Sequence, residues 1–212
     1  SEAKGMLRNH QGELGAARDL FRNALIIARR DRDRLAEFQA LANLVMLELE
    51  QHEHAEAEAL SGELLIIGEK VREGSEAPFA QTLASLSRYA LGYENVGSDL
   101  DEALDQLRIA DAKHRLAYAL SCAADLDLRE GQAERAAVRA GEALRIASLL
   151  HRASDVAWAR VLFARAALAR GDGQAAAEVL QELRDQPRQE ISERVRQEMD
   201  ALLARQEAVD PA

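Results

Sequence analysis

The pattern Gly-x4-Ala-x6-Ala-Leu-x-Ile-Ala occurs twice in register, as Gly12, Ala17, Ala24, Leu25, Ile27 and Ala28, and again as Gly131, Ala136, Ala143, Leu144, Ile146 and Ala147. Looser copies start at His52 (Ala57, Leu64, Leu65, Ile67), at Ser98 (Ala103, Leu107, Ala110) and at Gly171 (Ala176, Leu180, Leu183). Starts at 12, 52, about 98, 131 and 171 lie mostly about 40 residues apart, with one interval near 34. A unit of that length cannot bury its own apolar face, so the copies must stack on one another.

The repeating unit reads as a pair of helices. Apolar stretches of helical length run from Leu35 to Leu49, Phe79 to Leu91, Leu116 to Leu128 and Val156 to Leu168. Several close on similar triplets, Leu47-Glu48-Leu49, Leu126-Asp127-Leu128 and Ala166-Ala167-Leu168, followed by a turn with Gly131 or Gly171. Glycine suits that turn because a helix commonly ends on a left-handed residue. Beyond it the small residues at the Ala17 and Ala24 positions share one face and allow close helix contact. Composition points the same way. Alanine supplies about a fifth of the chain and aromatic residues only 4%, leaving little from which to build a sheet.

The expected elements are a partial helix at 2–11, then helices at about 13–30, 33–50, 54–73, 77–94, 99–112, 115–130, 133–150, 153–170 and 174–185. A last helix at 188–207 has Pro187 at its start, where a missing N–H does no harm. With Glu190 and Glu193 spaced to meet Arg194 and Arg196, it suits a polar capping helix.

This arrangement resembles the tetratricopeptide repeat. Ser98-Asp99-Leu100-Asp101-Glu102-Ala103 is similar to that family's G-D-Y-D-E-A turn, although the family's Trp and Tyr positions are mostly Leu, Ala or polar here and its closing proline is absent. The longer units resemble those of bacterial transcriptional activators and signalling ATPases. The resemblance implies an all-α, right-handed superhelical α-solenoid of about five helix pairs. It makes 1–212 a single repeat domain, with units at about 1–30, 33–73, 77–112, 115–150 and 153–185 and a capping helix at 188–207. A chain starting at Ser1, with its first Met at position 6 and an incomplete first unit, reads as a segment of a longer protein.

The family's ligands lie in a concave groove lined by the first helix of each pair. Carried over by register, the groove residues are Gln39, Asn43, Ser85, Arg88, Tyr118, Ser121, Asp125, Trp158 and Arg165. Tyr118 and Trp158 stand one repeat apart, and large aromatics with arginines dominate binding energy at interfaces. The expected function is a non-enzymatic scaffold for a peptide or protein segment. The alternative is a sensing arm of a bacterial transcriptional regulator or signalling ATPase, with a small-molecule effector or signal peptide in the groove.

Other function classes find little support. A formal charge of −10 opposes a phosphate backbone, so direct nucleic-acid binding is not expected. One cysteine gives no disulfide framework within the chain, and Cys122 among Ser121, Ala123 and Ala124 reads as a small core residue. No apolar run reaches membrane-spanning length, and the expected location is cytoplasmic. His52 and His54 lack a companion motif for a metal, while His114 and His151 read as repeated surface turn positions. No phosphate-binding glycine loop or nucleophile elbow occurs, so no cofactor or catalytic residue is assigned. The acidic run Glu48, Glu50, Glu53, Glu56, Glu58 and Glu63 reads as a solvated face, with a docking patch for a basic partner as the alternative.

Overall fold

The structure is a computed structural model that describes residues 2–71 and 74–209. It is all-α. The helices are α1 (Glu2–His10), α2 (Leu14–Asp31), α3 (Arg34–Glu50), α4 (His54–Gly68), α5 (Glu76–Ala90), α6 (Val96–Ile109), α7 (Lys113–Arg129), α8 (Ala133–Leu149), α9 (Ala153–Ala169), α10 (Gly173–Asp185) and α11 (Glu193–Val209). The chain divides into two compact units, Ser1–Ala119 and Leu120–Ala212, with the division inside α7. In the first unit each helix from α1 to α5 packs against the next, and α3 also touches α5. In the second, α9 packs against α8, α10 and α11. The odd-numbered helices therefore form a row of their own within each unit.

Left-handed residues end most of the helices: Gly12, Arg32, His52, Gly92, Asp111, Gly131, His151 and Gly171 all have φ between 50° and 79°. The following amide reaches back to a carbonyl in the last helical turn, as Asp33 N–H does to Ala28 O, Glu53 N–H to Glu48 O, Gln132 N–H to Asp127 O and Asp172 N–H to Ala167 O. These bonds satisfy carbonyls that the helix end would leave open. His151 is a turn residue as expected; His114 lies instead at the second position of α7, where Asp111 has taken the left-handed place. His52 also sits in a turn, and its ring meets that of His54 edge-on, with centroids 5.7 Å apart.

The expected small side chains are buried in every pair: Ala17, Ala57, Ala103, Ala136 and Ala176 are all at most 2% exposed, four of them five residues after a left-handed turn residue, whereas Ser98, expected at the turn before Ala103, lies inside α6. Close approach also depends on Gly5, where a Cβ would stand 2.6 Å from the Phe21 ring. The acidic run acquires a structural role. Glu48, Glu56 and Glu63 meet Arg18, Arg22 and Arg29 of α2, while Glu58 meets Arg88 of α5. Glu48 is enclosed, whereas Glu53, Glu56 and Glu63 remain exposed as a solvated face would be, and the ion pairs at Glu56 and Glu63 are made at that surface. Arg18 holds Glu48 through two bonds of 2.7 and 2.6 Å, which raise the guanidinium pKa above its ordinary value.

The chain around Pro187 departs from expectation. Gln186 is extended, as a residue preceding proline favours, and α11 starts only at Glu193. Between them Ile191 is drawn into the core at 1% exposure, and Ser192 N–H donates to Ser154 Oγ at 2.7 Å. Satisfying that anchor uses the residues that would have formed the first turn of a helix at 188. Val195, Met199, Leu202 and Leu203 then close the second unit's core.

Candidate interaction site

The register-derived residues divide between the two units. In the first unit Gln39 and Asn43 are half-buried on α3, and Asn43 Nδ2 donates to Glu2 Oε1 of α1 at 2.9 Å. Ser85 is a correction: at 1% exposure it is enclosed, because α5 is packed by α3, α4 and α6 together. Arg88 turns to α4, with Glu58 3.7 Å away, and so belongs to a seam between helices rather than to the row of odd helices. Tyr118 is half-buried and donates its hydroxyl to the Met46 carbonyl of α3 at 3.3 Å, so its polar end is held within the chain.

Arg115 was not singled out by sequence reasoning. Its guanidinium lies 5.5 Å from the centroid of Phe38 and 5.1 Å from that of Phe79, and donates to Ser75 Oγ and Glu76 Oε1. It ties α3, α5 and α7 within the first unit. Stacking of a planar cation on aromatic faces makes this a structural post.

The second unit brings three of the register-derived residues together. Arg165 of α9 stands between Asp125 of α7, 3.9 Å away, and Glu198 of α11, to which Nη2 donates. Its guanidinium carbon lies 5.8 Å from the Trp158 ring centroid, and that of Arg194 lies 4.5 Å from the same ring. Arg129 adds a 3.1 Å bond to Asp125. Trp158 itself is a correction to an open groove aromatic: it is 9% exposed and forms part of the core with Val161, Leu162 and Met199. Ser121, at 6% exposure, is likewise enclosed. Cys122 is half-buried rather than part of the core.

Arg194 and Glu198 were missed because the last helix was read as a cap with an outward polar face. Their spacing of four residues was the available signal, since it puts both on one face of α11. The cluster holds three cations and two carboxylates, with the Arg165 side chain 27% and Glu198 38% exposed. An arginine stacked on an indole and already holding a half-exposed carboxylate is chemically suited to receive another carboxylate.

Among the described residues no group of three or more His, Cys, Asp and Glu side chains is placed to hold a metal ion, and no helix is long and apolar enough to cross a membrane. No family model matches the sequence, and no curated protein matches it either. Among solved structures the chain is similar to BtubC (BKLC) from P. vanneervenii, with a TM-score of 0.59 and 21% identity over 92% of this chain and 78% of that one. At that identity the likeness is one of fold.

Proposed function

We propose that the chain is a tetratricopeptide-like, non-enzymatic interaction module, and that its second unit binds a segment of a protein partner through an acidic side chain received at Arg165. The observation that carries the reading is Arg165 lying over Trp158, which Arg194 also covers, while it holds the half-exposed Glu198. Glu198 occupies the position that a partner's carboxylate takes on binding. Exchange of one carboxylate for another leaves the arginine's charge satisfied in both states, so binding does not expose an uncompensated cation. A scaffold of this kind uses an extended face built from local contacts and needs no catalytic group.

The test is a selection of acidic and basic peptides against the intact chain, followed by anisotropy titration of those that bind. Acidic peptides are expected to predominate, and Arg165→Gln is expected to weaken them about ten-fold, the loss of roughly 1.4 kcal/mol. Its melting temperature should fall by no more than about 4 °C, the shift associated with about 1 kcal/mol in a chain of this size. Equal binding by the variant would reject the site.

A further inference from the structure

Two arginine–glutamate pairs span the seam between α2 and α4. Arg22 of α2 meets Glu56 of α4 at 3.8 Å, and Arg29, seven residues later, meets Glu63. The next seam has the same framework, since α5 packs against α4 and α6 as α3 packs against α2 and α4. The buried residues Ala17, Ala57 and Ala103 fix the register from one unit to the next. Carried forward on them, the places of Arg22 and Arg29 fall on Gly62 and Glu69, and those of Glu56 and Glu63 fall on Glu102 and Ile109. No cation stands at any of the four.

Glu69 and Glu102 are exposed, and neither forms an ion pair with a described residue; Lys70 follows Glu69 without pairing with it. Ile66 is 56% exposed and Ile109 77%. Between Glu102's place and theirs lies Gly62, where a Cβ would meet nothing within 4 Å. Glycine inside a helix is unfavourable, and here no neighbouring group comes close enough to require it. The α4–α6 seam therefore keeps its carboxylates, lacks the arginines that answer them one unit earlier, and has room on its outer side. Both helices have others before and after them in the chain.

We infer that the α4–α6 seam docks a basic amphipathic helix of a partner protein, which supplies the missing cations. Charge complementarity and register define that helix. One Lys or Arg lies over Gly62 and reaches Glu102, as Arg22 reaches Glu56, and a second, seven residues away, reaches Glu69. An apolar side chain midway between them covers Ile66 and Ile109. The apolar contact supplies the burial, while the two cations set the orientation and exclude acidic helices. This surface lies in the first unit and takes a partner of the opposite charge to that proposed for Arg165, so neither depends on the other.

The probe is a fluorescein-labelled, alanine-rich helical peptide with two arginines seven residues apart and a leucine midway. Its control carries glutamate in place of both arginines. Titrated with the intact chain, the arginine peptide is expected to bind saturably and about ten-fold more tightly than the control, a preference set by two charge pairs. Glu102→Arg should remove that preference, and Ile109→Ser should weaken the arginine peptide about three-fold by taking away its apolar contact. Gly62→Arg gives Glu102 a partner within the chain and fills the open place, so the arginine peptide should no longer bind. All three positions are exposed and Gly62 has space around it, so circular dichroism should show the helices intact. Equal binding of the two peptides, a preference that survives Glu102→Arg, or binding unchanged by Ile109→Ser or Gly62→Arg overturns the proposal. So does sedimentation showing that the chain alone forms a dimer that Gly62→Arg abolishes, since the occupant is then a second copy.

Discussion

Glu48 in the first unit and Asp127 in the second hold the same place, four residues before the turn, yet each is answered from the opposite side. Glu48 takes Arg18 of α2, the helix before it, whereas Asp127 takes Arg139 at 2.7 Å and Arg135 at 3.0 Å from α8, the helix after it. The first pair joins successive helix pairs; the second joins the two helices of one pair. Burial differs too. Arg18 keeps 27% of its side chain exposed and Arg139 only 7%, while both acids are enclosed. One sequence position can thus staple either neighbour, and the depth of the arginine sets how much depends on it.

Breaking the deeper pair is expected to have the largest effect. Arg139→Met removes the enclosed cation from the fully enclosed Asp127, leaves the half-exposed Arg135 in place, and should cost about 3 kcal/mol in urea unfolding, at the lower end for an opened buried pair. A loss below about 1 kcal/mol would show that the Arg139 contact is dispensable. The small-residue position provides a control, because there the units are alike. Ala136→Leu and Ala17→Leu should each cost about 2 kcal/mol by overpacking, and a large difference between them would show that the two units tolerate volume unequally.

Arg18→Met should cost about 1.5 kcal/mol, less than Arg139→Met, because water reaches part of the site. Replacing Glu48 and Arg18 together by leucine should recover most of that loss. The smallest expected change is a gain. His151→Gly, at φ 53°, relieves a left-handed strain and should add about 1 kcal/mol, and His52→Gly should do the same; a thermal melt lower than that of the parent chain would contradict the turn argument.

Much of the fold could be read in the sequence because the repeat states each boundary several times. Gly12, Gly131 and Gly171 mark turns outright, and alignment extends the mark to His52, whose side chain alone suggests no turn. The end of the chain was harder to read because α11 has no later copy to fix its register, and Ile191 rather than Pro187 decides where it starts. The site was legible in part. Asp125, Trp158 and Arg165 share a register and do meet, whereas Ser85 and Ser121 share it and are enclosed. Periodicity cannot separate these cases on helices such as α3 and α9, which bury residues around most of their circumference and so carry no single apolar stripe. Arg88 misled for another reason: its partner Glu58 belongs to an acidic run that looked like open surface.

The enclosed indole has an optical consequence. Trp158 is the chain's one tryptophan and lies in the second unit, while the three tyrosines, Tyr89, Tyr93 and Tyr118, all lie in the first. Excitation at the red edge, where only indole absorbs, therefore watches the second unit alone, and tyrosine emission reports on the first. An unmodified chain thus carries two spectrally distinct labels, and their melting curves, superimposed or separate, tell whether the two halves come apart as one cooperative body or in turn.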